Sequence, residues 1–435
     1  MIEPPTTRRP QRWAFFSHAY NLGDCSRAIE IAKAMRATGA EVKFYHHGGY
    51  HVEQVQDAGF DPVELQPLVT EAQHKFLMDM DQHRAPISAP LPFTREELTA
   101  MVESELEAFR QWQPDGVFCG LNLSCLISVP HARLPMVTFV PTALCPAFFE
   151  KGMASFPNAM ETNFVLRRLL PAKLKRVIIN RVMLGDVAKK STVVFNEVRA
   201  HYGLPPIYNY TALVRGELTL LPDLPELSGL AAEDLPLGYA YCGPVFARME
   251  QLPMPPEVTR VFSRPGPKIY CAMGSSGTVE LLKQVVAALR SVPELNVVCA
   301  TTTIVDPAVL GAASDNFFAA RYLPAHTVCE LADVAVTHGG QGTVQTAVWA
   351  GLPVVGIGFQ WEQQANLDGL ARAGAGIRIP LHSVTRERLR AAVEQARGPS
   401  YRTAAARLRT LVRGHDGAAE AVRRMQQLVA ARAAA

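Results

Sequence analysis

The chain has 435 residues, 48% apolar and 19% charged, with a formal net charge of +3. That length implies two domains of roughly 200 residues, the composition excludes a mostly disordered or collagen-like chain, and the small charge gives no reason to expect nucleic acid as a partner. Eight cysteines scattered without close pairs exclude a zinc or redox centre, and no run reaches the roughly 18 apolar residues of a membrane span, so a cytoplasmic protein with reduced thiols is expected.

Residues 1–10 are polar and read as a frayed tail. Residues 13–16 form an apolar run, followed by a polar loop ending at Gly23-Asp24. A helical pattern follows, with Ala28, Ile31, Ala32 and Met35 on one face, a stop at Gly39, and a second strand over residues 42–45. Strand, loop, helix, strand is a βαβ unit, and its parallel strands take ligands at their carboxyl ends. The pattern recurs at residues 116–119 and 135–140.

Residues 164–199 are helical and basic, with Arg167, Arg168, Lys173, Lys175, Arg176, Arg181, Lys189 and Lys190 among apolar residues. A solvated face is the expectation, and contact with an anionic membrane or acceptor the alternative. Prolines 253, 255, 256 and 265 mark a connector. Strands follow over residues 268–272, 296–300, 334–337 and 353–357, separated by helical stretches such as 279–290, so the second half is again α/β. Residues 401–435 predict two helices broken at 414–417. The expected organisation is a first domain over 1–245, a linker over 246–267 and a second domain over 268–435, whose C-terminal helices can pack back on the first domain.

The strongest chemical signal begins where residues 334–336 end. Thr337-His338-Gly339-Gly340-Gln341-Gly342-Thr343 leads into a helix carrying Val344, Ala347 and Val348. Glycines at a strand-to-helix turn bring backbone amides close to a ligand, and the helix start adds partial positive charge, which suits a diphosphate. The next apolar strand ends in Trp361-Glu362-Gln363-Gln364-Ala365-Asn366, offering a carboxylate and amides to sugar hydroxyls on the same edge of the sheet. A third turn, Met273-Gly274-Ser275-Ser276-Gly277-Thr278, adds small residues that can approach phosphate.

In this order and spacing, the three elements resemble the donor-binding domain of the GT-B family 1 glycosyltransferases, the UDP-glycosyltransferase superfamily, over residues 268–380. The resemblance implies a GT-B fold of two Rossmann-like domains facing a cleft. It implies that His338, Gly339, Gly340, Gly342 and Thr343, with Ser275 and Ser276, surround the diphosphate, and that Glu362, Gln363 and Trp361 meet the sugar. Arg321, Tyr322 and Leu323 would border the nucleobase. Many members carry a ribose-binding glutamate eight residues after the motif histidine. Thr346 stands there instead, beside Gln345, which weakens the usual argument for UDP over dTDP; a UDP-sugar donor is expected, with dTDP-sugar as the alternative.

The first half is similar to the family more faintly, over residues 13–44 and 114–141. Members commonly present a Gly-His pair after the first strand, and Gly23-Asp24 occupies that place. An Asp is found there in the branch resembling sterol and glycopeptide-antibiotic glycosyltransferases. A carboxylate can take the acceptor proton as the new bond forms, so Asp24 is the expected base, with His18 as the alternative. The usual partner acid near residues 120–122 is missing.

His46 and His47 read as structural. Asp79-Met80-Asp81 reads as a solvated loop or helix end instead of a metal site. The expected reaction is inverting, with neither metal nor cofactor beyond the nucleotide sugar. The acceptor is expected to be small and apolar or aromatic, touching Tyr50, Phe76, Phe93 and the 141–156 region around Phe148. A membrane-associated lipid-linked sugar transferase and a catalytically silent GT-B binding protein remain the alternatives.

Overall fold

Most strands are unbroken apolar runs such as Gly116–Cys119, buried throughout, the pattern of a parallel sheet covered on both faces. The computed structural model describes residues 9–17, 19–81, 88–157, 163–247, 252–274, 278–302 and 304–434. The first sheet contains β1 (Arg12–Phe16), β2 (Glu41–His46), β3 (Val63–Glu64), β4 (Gly116–Cys119), β5 (Met136–Phe139), β6 (Leu218–Leu221) and β7 (Tyr239–Tyr241), in the order β3-β2-β1-β4-β5-β6-β7. The second contains β8 (Lys268–Ala272), β9 (Asn296–Ala300), β10 (Phe317–Ala320), β11 (Val334–Thr337), β12 (Val354–Gly356) and β13 (Gly376–Arg378), in the order β10-β9-β8-β11-β12-β13.

All pairings within the two sheets are parallel. The chain is therefore two Rossmann-like domains, as expected. In each, the strand order reverses beside the first strand, at β1/β4 and β8/β11. Those reversals open the crevices in which α/β sheets hold ligands.

The helices that bear on the site are α1 (Leu22–Ala37), α2 (Glu71–Asp81), α3 (Arg95–Trp112), α4 (Pro146–Glu150), α5 (Phe164–Leu169), α6 (Ala172–Met183), α7 (Pro225–Ser228), α8 (Pro256–Phe262), α9 (Gln341–Ala350), α10 (Trp361–Arg372) and α11 (Gly417–Ala434). Alternation along β1 divides the first core. Trp13 and Phe15 face the cluster holding Cys25, Ala28, Ile31 and Met35 of α1, while Ala14 and Phe16 face Leu98, Val102 and Phe109 of α3.

Two segments refine the sequence reading. Residues 256–262, expected within the linker, form α8, whose Val258, Val261 and Phe262 are buried in the core of the second domain. The last helix, α11, assigned by sequence to the second domain, packs back on the first as the reading allowed: it lies on α1 and buries Ala421, Val422 and Met425 in the core of the first domain. Gly417 lies at the crossing. A Cβ there would sit 2.2 Å from the Pro244 carbonyl oxygen, so the returning chain presses against the outgoing connector.

Candidate active site

The His338 turn and the Gly274 turn meet through one imidazole. His338 is 6% exposed, and its ring lies between two glycines: a Cβ at Gly274 would stand 2.3 Å from Cε1, and one at Gly340 would stand 2.3 Å from Nε2. Gly274 also has φ +60, a conformation that side chains with a Cβ adopt at a cost. The glycines thus serve first to admit the histidine. Ser275 and Ser276 lie outside the described residues.

Gly340 is the N-cap residue of α9, so the first-turn N–H groups of Gln341, Gly342 and Thr343 lack intrahelical acceptors. Gly342 is exposed, and a Cβ added there would meet nothing within 4 Å, so this helix start is open to a ligand. Thr343 is half-buried, and Thr346, one turn further on the same face, is 8% exposed.

Asn366 links this turn to α10, donating from Nδ2 to the Gly339 carbonyl oxygen at 2.9 Å and to Glu362 Oε1 at 2.7 Å. Glu362 therefore stands beside the glycine turn. Burial raises its carboxyl pKa, opposed by the Asn366 bond, the Arg27 charge and the Gln341 backbone N–H. Gln363, expected at the sugar, is 2% exposed and is turned into the helix cap. Its Oε1 accepts from Phe359 N at 2.8 Å and Gln360 N at 3.2 Å, and its Nε2 donates to Gln360 Oε1. Trp361 meets Phe149 of α4 edge-on at 5.2 Å across the cleft.

The acceptor-domain side of the cleft is built on α1. Asn21 caps it, its Oδ1 accepting from Gly23 N at 2.9 Å and Asp24 N at 3.2 Å, which fixes Asp24 in the first helical turn. Asp24 is 4% exposed and packs over Gly120 at the end of β4, where a Cβ would fall 2.1 Å from Oδ2. The lack of a side chain at residue 120 thus makes room for the carboxylate.

One turn on, Arg27 spans the domains. Its Nη1 donates to Gln341 Oε1 at 2.8 Å, its guanidinium lies 5.4 Å from the Phe139 ring centroid, and its Nε is buried without a hydrogen-bond partner. Burial lowers its pKa, and the charges of Asp24 and Glu362 oppose that. Gln341 Nε2 donates onward to the Pro222 carbonyl oxygen at 3.2 Å, as does Gln345 Nε2 at 2.6 Å. Gln345, beside the ribose position, thus serves the domain interface.

Asp223, next to that carbonyl, was not singled out in the sequence. It is 6% exposed at the end of β6, accepts from Leu224 N at 2.9 Å and Thr142 Oγ1 at 3.2 Å, and burial lifts its pKa to about 7, with Glu362 adding to the rise. Burial lowers His338 to about 4, opposed by the Ala272 carbonyl.

The two groups drive stability in opposite directions. Asp223, raised above its ordinary 3.8, contributes stability that is full below about pH 4 and is lost as pH rises through 7. His338, depressed below 6.5, contributes stability that is present above that pH and is lost as pH falls toward 4. Asp223→Asn should therefore lose stability relative to wild type as pH falls from 7 to 5, by up to about 2 kcal/mol. Guanidinium unfolding midpoints at the two pH values measure this, and a gap independent of pH would contradict it.

The other expected site residues divide between core and surface. Phe148, expected at the acceptor, is 1% exposed within a core cluster with Val140, Cys145 and Leu221. Its neighbour Phe149 instead faces Trp361. Leu323, expected at the nucleobase, is likewise core, while Arg321 and Tyr322 are exposed beyond β10. Tyr50 is 56% exposed and donates to Glu71 Oε1 at 2.5 Å. Phe76 is half-buried on α2, and Phe93 packs near Leu98 and Phe195.

His18 lies outside the described residues. His46 Nδ1 accepts from Gly48 N at 3.1 Å. His47 Nε2 meets Glu105 Oε1 at 3.2 Å. Asp79 lies in the last turn of α2 and pairs with Lys75 at 3.1 Å. A recess of about 370 Å³ lined by Asp333, Glu394, Arg397 and Arg402 opens at the opposite edge of the second sheet, away from these groups.

Residues 288–428 match the family described as "Erythromycin biosynthesis protein CIII-like, C-terminal domain". Over 410 residues the chain is 28% identical to a PGL/p-HBAD biosynthesis rhamnosyltransferase of Mycobacterium tuberculosis (strain ATCC 25177 / H37Ra), covering 93% of this chain and 85% of that protein. Over 144 residues it is 33% identical to the aklavinone 7-beta-L-rhodosaminyltransferase of Streptomyces galilaeus, covering 33% of this chain and 32% of that one. The glycotransferase of kitacinnamycin superposes with a TM-score of 0.69 at 20% identity, over 97% of this chain and 100% of that one.

Two Rossmann-like domains facing each other across a glycine turn at a helix start define a nucleotide-sugar glycosyltransferase of GT-B fold. Over most of its length the chain is similar to glycosyltransferases of this fold.

Proposed function

We propose that the enzyme transfers a sugar, with inversion, from a UDP- or dTDP-sugar to a small apolar or aromatic acceptor, with Asp24 as general base. The observation that carries this reading is the Arg27 bridge, which holds the helix bearing Asp24 against the N-terminus of α9 and beside Glu362. The acceptor hydroxyl oxygen attacks the anomeric carbon while its proton passes to the Asp24 carboxylate. The bond from that carbon to the diphosphate breaks, and its electron pair leaves with the diphosphate. The developing charge meets the first-turn N–H groups of α9, a fixed set of dipoles that needs no reorganisation as the reaction proceeds.

Similarity to a rhamnosyltransferase over most of the chain supports a deoxyhexose as the sugar. The test is a panel of UDP- and dTDP-sugars, including the rhamnosyl donors, with nucleoside diphosphate release and glycoside formation both measured. Turnover that is unaffected by EDTA and selective for one nucleotide is expected. Binding of a nucleoside diphosphate without turnover on any donor and a broad acceptor panel would favour the silent binding protein.

A further inference from the structure

The basic segment has a side that the transfer reaction does not use. Residues 163–190 hold eight basic residues and one acid, while the whole chain nets +3, so the remainder of the chain is net acidic. On α6, Ile179 and Met183 turn inward, into a cluster with Phe149 and Phe156 against which Trp361 of the other domain packs. The outward side is exposed and mixes large apolar with basic residues. Leu169 is 71% exposed, Val177 59% and Leu174 45%, and the exposed residues between and around them include Arg168, Lys173, Arg176 and Arg181. Three large apolar side chains within nine residues of one exposed surface have no physical reason to face water. Set among cations, they match a phase that is apolar within and negative at its rim, which describes an anionic lipid surface. Among the described residues no helix is long and apolar enough to cross a membrane, so the contact is peripheral.

We propose that the outer face of α5 and α6 docks on an anionic lipid surface, and that the acceptor is an amphiphile delivered from that surface to the aromatic wall on the inner face of the same helices. The docking stands on exposure and charge alone. The acceptor class rests on the cleft being the transfer site.

The experiment floats the full chain with vesicles of phosphatidylcholine alone and of phosphatidylcholine with about one-third phosphatidylglycerol. The wild type should bind the anionic vesicles at least about tenfold more strongly, and less so at high salt. The double variant Leu174→Glu, Val177→Glu should lose that binding while keeping wild-type turnover on a water-soluble acceptor, and should be slower only on an acceptor presented in anionic vesicles. Failure of the wild type to bind anionic vesicles would overturn the docking, as would binding indifferent to the two substitutions. Vesicle binding without transfer to any acceptor would leave the docking standing and overturn the reading of the cleft.

Discussion

Asp24→Asn is expected to lower kcat by roughly 100- to 10,000-fold, the range that positioned acid–base groups supply, while nucleoside diphosphate affinity stays within a few-fold. Asparagine has the shape of aspartate, so the tight fit over Gly120 and the cap at Asn21 should survive. The capacity to take a proton is removed, together with a negative charge that supports the buried Arg27, so the unfolding midpoint should fall while the chain still folds. The diphosphate site lies on the other domain, at the start of α9, and should not register the change. Steady-state kinetics with a competent donor, beside calorimetric titration of the product nucleotide, separate the outcomes. Turnover within a few-fold of wild type would exclude Asp24 as the base and return attention to His18.

Glu105→Ala should have the largest effect on stability, about 3–5 kcal/mol, as expected for leaving several buried polar groups without their shared acceptor. Glu105 is 0% exposed on α3. Its carboxylate accepts from Ser124 Oγ at 2.5 Å, from Ser128 Oγ and from Cys125 Sγ at 3.7 Å, and faces His47 Nε2 at 3.2 Å. Truncation leaves these groups buried without their acceptor.

The effect should also reach the site, because Ser124 closes the loop that begins at Gly120, the residue under Asp24. The milder Glu105→Gln keeps the volume and should fold, with a lower denaturant midpoint and reduced kcat. A midpoint equal to wild type for both variants would contradict the account. No carboxylate was found in the sequence near residues 120–122, and Glu105 supplies one behind that loop from a different helix.

The donor turn was legible because its chemistry is local. A strand end, glycines and a helix start are contiguous from Thr337 to Thr343, and the same short-range grammar announced Glu362 and Asn366. Gly340 was read as a neighbour of the phosphate, and packing adds that it and Gly274 make room for the His338 ring. Gln363 lies in a helix cap and Phe148 in a core for a common reason. A residue type suited to a ligand is equally suited to a helix cap or a core, and the backbone direction at that point decides between them.

Arg27 carried a weak signal, standing three residues after Asp24 on the same helical face. Its acceptor, Gln341, lies more than 300 residues away, and no spacing rule reaches that far. Asp223 had none beyond its position after an apolar run.

By itself the sequence determined the class: two α/β domains, a glycine-rich turn at a helix start on the second and a carboxylate at the head of the first helix. Hydrophobic period, glycine placement and helix starts are properties of neighbouring residues, so they survive in one dimension. The tertiary structure decided what distance along the chain conceals. It placed α11 against α1, set Glu105 beneath the Gly120 loop, joined Arg27 to the start of α9, and turned Leu169, Leu174 and Val177 outward among their cations. Those pairings depend on which surfaces meet once the sheets form, and that is settled by packing two cores at once.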